Sequence, residues 1–155
     1  MVKPCANNII KTTYTQQLPS NLLNQNITNG ENLHPKIVKA NAPHEYLTPE
    51  KCYIAENYSD KDVSIARATV KPGVTTLAHH LVGVQEIYLI TSGRGKVTIG
   101  GLEPTDVCVD DVVIIPPQTS QKITNIGKTD LVFYCICTPR FTEACYVNEE
   151  PERLP

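Results

Sequence analysis

Short stretches of alternating or continuous apolar residues, each closed by Gly, Pro, Asn or Asp, recur along most of this chain and predict strands. The densest series lies at residues 73–125, where Ile87, Leu89, Val97, Ile99, Ile123 and the run 112–115 supply the apolar positions. Gly93, Gly95, Gly100, Gly101 and the pair Pro116-Pro117 punctuate that series as turns. Upstream, residues 63–70 alternate cleanly, with Val63, Ile65, Arg67 and Thr69 on one face and Ala66, Ala68 and Val70 on the other. Residues 37–40 and 51–55 are expected as two shorter strands, with 43–49 between them as a loop or a single helical turn. Downstream, the apolar run 131–137 predicts a strand held between two layers. No helical period is sustained, so the pattern predicts an all-β sandwich or closed barrel.

Composition narrows the picture. A chain of 155 residues makes one domain that buries most of its apolar surface. Residues 1–33, rich in Asn, Gln, Ser and Thr, form a polar N-terminal arm, and residues 34–155 carry the folded domain. Two readings of the arm stay open: a loose extension, or a segment ordered across a second subunit through Ile9, Ile10, Leu22 and Leu23. A net charge of -2 without a basic cluster argues against nucleic acid as a partner. No apolar run approaches the roughly 20 residues of a membrane span, and the first residues lack a signal peptide's apolar core, so a cytoplasmic protein is expected. Six cysteines without a CxxC pair are read as reduced thiols, Cys135 and Cys137 being small core residues on one strand face.

The residues that bear chemistry gather in the glycine-punctuated stretch. Their spacing is Gly73-x5-His79-x-Leu81-x4-Glu86-x6-Gly93, followed by Asp110-Asp111-x4-Pro116-x4-Gln121-x3-Asn125. The first resembles the cupin motif that runs Gly, His-x-His, Glu, Gly; the second resembles its partner, Gly-Asp, Pro-x-Gly, His, Asn. Both occur in order, and the likeness covers residues 63–138. It implies a double-stranded β-helix, or jelly-roll barrel, carrying the N-terminal arm as an extension and often paired as a homodimer.

In metal-binding cupins the first motif gives two histidines and a glutamate, and the second gives a third histidine. Here His79 and Glu86 match, while Leu81 and Gln121 stand at the other two ligand positions and Gln118 stands at the motif's glycine. The resemblance therefore implies a weak site for Zn, Fe, Ni or Mn held by His79, Glu86 and Gln121. His80 cannot replace the missing ligand without a bulge, because strand side chains alternate faces and residues 79 and 81 share the inward one. Two metal-free readings stay open beside it. His79 and Glu86 form a satisfied polar pair, or they work as general acid and base, with burial raising the Glu86 carboxyl. Tyr88 and Ile90 share the inward face of Glu86, so Tyr88 is a further catalytic or substrate-binding candidate. Gln121 is a second substrate-binding candidate, and Arg67, on the inward reading of its alternation, a third, as an anion anchor.

These residues imply a small-molecule enzyme of the isomerase, lyase or oxygenase type. The alternatives are a binding module for a small carbohydrate or organic acid, and a dimeric scaffold.

Overall fold

The computed structural model of the chain describes residues 35–39 and 44–150. The arm 1–33, with its proposed attachment points, lies outside the described residues, and the compact unit that carries the motifs runs from Val38. Among the described residues its elements are strands and one single-turn 3-10 helix, Glu143–Cys145. No helix among the described residues is long and apolar enough to cross a membrane.

The strands run β1 (Tyr46–Leu47), β2 (Tyr53–Ser59), β3 (Ser64–Val70), β4 (His79–Leu81), β5 (Gln85–Ser92), β6 (Arg94–Ile99), β7 (Thr105–Cys108), β8 (Val112–Ile115), β9 (Gln121–Asn125), β10 (Leu131–Thr138) and β11 (Tyr146–Asn148). They form two antiparallel sheets, ordered β1-β2-β3-β10-β5-β8 and β11-β4-β9-β6-β7. β3, β5 and β8 to β10 fall where the alternation predicts them. The strand expected at 37–40 does not form among its described residues: 35–39 are exposed and belong to no sheet, and Ala40 lies outside the described residues. β2 starts two residues later than expected and continues to Ser59, with a register irregularity between Glu56 and Tyr58.

The inner faces of the two sheets meet in a core of Ile90, Ile115, Ile123, Leu131 and Phe133, each almost wholly buried. Motif residues that carry no chemistry hold the turns. Gly93 has a φ of 82°, and a Cβ there would lie 2.6 Å from the Asp130 carbonyl oxygen, so only glycine fits. Asn125 donates from Nδ2 to the carbonyls of Val70 and Thr129, both at 2.8 Å, and its Oδ1 accepts from the Gly127 N–H at 2.8 Å. Gln118, at the glycine position, keeps that glycine's backbone with a φ of 56°, and its N–H donates to the Leu81 carbonyl at 2.9 Å.

The reduced reading of the cysteines holds at Cys52, Cys135, Cys137 and Cys145. It fails at Cys108, which is disulfide-bonded; the absence of a CxxC spacing says nothing about bridges between distant residues.

Candidate functional site

The register of two strand pairs builds the site. β4 and β9 set His79 opposite Gln121 on the five-stranded sheet, and β10 and β5 set Cys137 opposite Glu86 and Cys135 opposite Tyr88 on the six-stranded one. Alternation then turns His79, Leu81, Glu86, Tyr88 and Gln121 inward, where all five are buried. His80 points the other way and hydrogen-bonds Glu149 through Nδ1 at 2.6 Å. No bulge rescues it as an inward ligand.

A cavity of about 170 Å³ lies among His79, Leu81, Glu86 and Tyr88 and the inner faces of β2, β3 and β10; Gln121, expected as a substrate-binding residue, does not line it. Its width follows from small residues: Ala66, Ala68, Cys135 and Cys137 leave space that larger side chains would fill. Arg67 sits on the opposite face of β3 from those alanines, 3.7 Å from Glu45, and does not line the cavity. The expectation of an anion anchor there is corrected. Alternation separates two faces of a strand but does not say which is inner.

Gln121 bridges the two sheets. Its amide Nε2 donates to Glu86 Oε2 at 2.7 Å, and its Oε1 accepts from the Tyr88 hydroxyl at 2.7 Å. Tyr88 in turn packs on Phe133, ring centres 4.5 Å apart. Burial holds the Glu86 carboxyl above the usual carboxylate range, eased by the Gln121 amide, by His79 and by the thiols of Cys135 and Cys137. Burial also raises the Tyr88 hydroxyl well above its ordinary range, with Glu86 adding to it.

His79 Nδ1 lies 3.0 Å from the Leu77 carbonyl, which can only accept, so Nδ1 carries a proton and Nε2 is the nitrogen left for chemistry. Its ring rests on Tyr146, centres 4.8 Å apart. Beside it stands a carboxylate that the motif spacing does not contain. Glu50 Oε2 is 3.9 Å from His79 Nδ1, and Glu50 lines the same cavity as Glu86. Its carboxyl too is raised, by burial first and by Glu86, against the lowering effect of His79 and a hydrogen bond from Tyr146. Glu50 reaches the site because the turn before β2 folds back. Thr48 accepts from Lys51 N–H at 3.0 Å and donates its own N–H to Cys52 at 2.9 Å, with Lys51 at a φ of 70°.

A model of the cupin domain family matches residues 66–137. An uncharacterised protein of Methanocaldococcus jannaschii is 35% identical over 102 residues, 63% of this chain and 81% of that protein. The chain is a cupin. Among solved structures, this cupin is similar to an uncharacterised Klebsiella pneumoniae protein with a double-stranded β-helix domain, at 16% identity and TM-score 0.62, covering 76% of this chain and 100% of that one. It is also similar to Pac13, described as a unique nucleoside dehydratase of Streptomyces, at 15% identity and TM-score 0.62, covering 74% and 91% of the two chains. At these identities the likeness is one of fold.

Cupins often hold a divalent metal, and the residues in this one fit such an ion poorly. Gln121 has both ends of its amide engaged, so a metal would have to break its bond from Tyr88 or replace its bond to Glu86. Leu81 brings an apolar side chain to the second histidine position. Among the described residues, no three His, Cys, Asp or Glu side chains converge closely enough to hold a metal, Glu50, His79 and Glu86 included.

Proposed function

We propose that this cupin is a small-molecule enzyme of the isomerase or lyase type that works by proton transfer without a metal. The observation that carries the reading is Glu86, a buried carboxyl raised toward its neutral form and held by the Gln121 bridge, on the same cavity as His79. Protonated Glu86 donates to a departing hydroxyl or a carbonyl oxygen of the substrate. His79 Nε2 takes a proton from the neighbouring atom, and Glu50 balances the imidazolium that forms. One proton leaves the substrate and one arrives, so elimination of water or a double-bond shift closes without an oxidant. Each such group contributes about 10²- to 10⁴-fold in rate. The dehydratase of similar fold supports the choice of class.

The test is a thermal-shift screen of sugars, nucleosides, alcohols and amines on protein purified without an affinity tag, with metal analysis of the same sample. Binders are then incubated with the protein and followed by NMR. The expected result is a ligand that is transformed equally well in the presence of a chelator. Near-stoichiometric metal that disappears in a His79→Ala variant overturns the metal-free reading, and a binder left unchanged makes the protein a binding module.

We also propose a homodimer through the outer face of the six-stranded sheet. β5 and β8 pair Ile87 with Ile114 and Leu89 with Val112 there, and Leu89, Val112 and Ile114 are exposed. Light scattering should give about twice the chain mass of 17.1 kDa, falling to one chain in Ile114→Lys. A monomeric parent protein removes the proposal.

A further inference from the structure

The geometry points to a small organic cation, an amine or ammonium with a short apolar portion, as the ligand of this cavity. The inference rests on the reading of the cavity as a small-molecule site and narrows its substrate class.

The balance of charge around the cavity carries the argument. Three glutamates line it: Glu86 in its depth, Glu50 beside His79, and Glu56 on β2. No lysine or arginine is among the described residues that line it. Several carboxylates elsewhere among the described residues face basic partners. Glu45 faces Arg67 at 3.7 Å, Asp130 meets Lys71 at 2.8 Å, Asp106 meets Lys96, and Glu149 meets His80 at 2.6 Å. The cavity carboxylates have weaker company. Glu56 accepts only a long 3.4 Å bond from the Tyr46 hydroxyl, Glu86 accepts from an amide, and Glu50 has a histidine at 3.9 Å and a hydrogen bond from the Tyr146 hydroxyl.

Like charges sharing an enclosed space repel unless a proton or a cation comes between them. With Glu86 held toward its neutral form, an incoming ammonium pairs with Glu50 and Glu56, whereas a carboxylate or phosphate would meet those two acidic groups with no guanidinium or ammonium to receive it. The remaining walls suit the rest of such a ligand. Tyr46, Tyr58 and Phe141 offer aromatic faces, which attract cations, and Ala66, Ala68 and Ile54 offer apolar surface. The volume admits on the order of ten water-sized groups, enough for a small amine.

Two matched series test the inference by calorimetry. Tyramine, tyrosol and 4-hydroxyphenylacetate share a ring and differ in an ammonium, a hydroxyl or a carboxylate; 3-methylbutylamine, 3-methylbutanol and 3-methylbutanoate repeat the comparison on an aliphatic body. The expected result is that the amine of at least one series binds about tenfold or more tighter than its alcohol, with the carboxylate weakest. Added salt, and the Glu56→Gln and Glu50→Gln variants, should narrow that preference. Glu56 lies exposed on β2, so its variant keeps the test readable if Glu50→Gln does not fold. Alcohols or carboxylates that bind as well as the amines overturn the inference, as does an amine preference that both variants leave unchanged. Failure of all six probes, beside a neutral ligand from the thermal-shift screen, overturns the cation and leaves the small-molecule site standing. Failure in both experiments removes the site and this inference with it.

Discussion

Alanine at position 125 is expected to lower the unfolding free energy by about 3–5 kcal/mol, from the cost of orphaning buried polar groups. Asn125 is 1% exposed, and its side chain serves the Val70 and Thr129 carbonyls and the Gly127 N–H together. Removing it strands the buried Val70 carbonyl and takes the partner from the part-buried Thr129 carbonyl and Gly127 N–H. Asn125→Asp should be nearly as harmful, since a carboxylate keeps the acceptor for Gly127 but offers nothing to the two carbonyls. For a domain whose whole stability is of the order of 5–15 kcal/mol, either change approaches unfolding. Urea titrations of the parent and the two variants measure it; a loss under about 1 kcal/mol would mean that the turn finds other partners.

Glu86→Gln is expected to do two opposite things. The folded protein holds the Glu86 carboxyl above its ordinary value near 4.5. Above that pH the unfolded chain ionises first, so the native state binds more protons and stability falls as pH rises, levelling only beyond the folded value. A neutral amide of the same shape removes that penalty. The variant should be more stable than the parent at pH 7–8, and the gain should vanish toward pH 4. Glu50, raised in the same way, keeps part of the slope in the variant. Meanwhile turnover of any substrate found should drop by about 10²- to 10⁴-fold, because the amide cannot give up a proton. Thermal unfolding across the pH range reads the first effect, and a gain that ignores pH would mean that Glu86 is ordinarily ionised in the fold.

Much of the fold was legible because its signals are local. Period-two alternation is enough to place Ala66 and Ala68 against Arg67, and His79 and Leu81 against His80, and the glycine spacing is enough to mark the turns at Gly93 and Gly100. The site was legible only where strands carry it. His79, Glu86, Tyr88 and Gln121 could be brought together from parity and motif order, but the Gln121 bridge could not, since it depends on how the two sheets face one another. Arg67 was misplaced for the same reason: the inner face is chosen by packing, and the signal available was the smallness of Ala66 and Ala68. Glu50 was missed altogether. It lies outside both motifs, and only the backward fold of the 48–52 turn carries it to His79. The apolar residues at 37–40 misled, since a pattern that suits a strand still needs a neighbouring edge to pair with.

That turn gives the site two rates of change over descent. Glu86, Tyr88 and Gln121 are tied into the sheets, where a replacement disturbs the barrel itself, so lineages should keep them together or lose them together. Glu50 rides on a turn between strands, tied to the rest by the Leu77 N–H on its carbonyl and by buried Cys52, and turns change more readily than strands. Duplicated copies of this gene could thus drift toward new substrates by altering one carboxylate at a surface turn while the interior bridge is inherited unchanged.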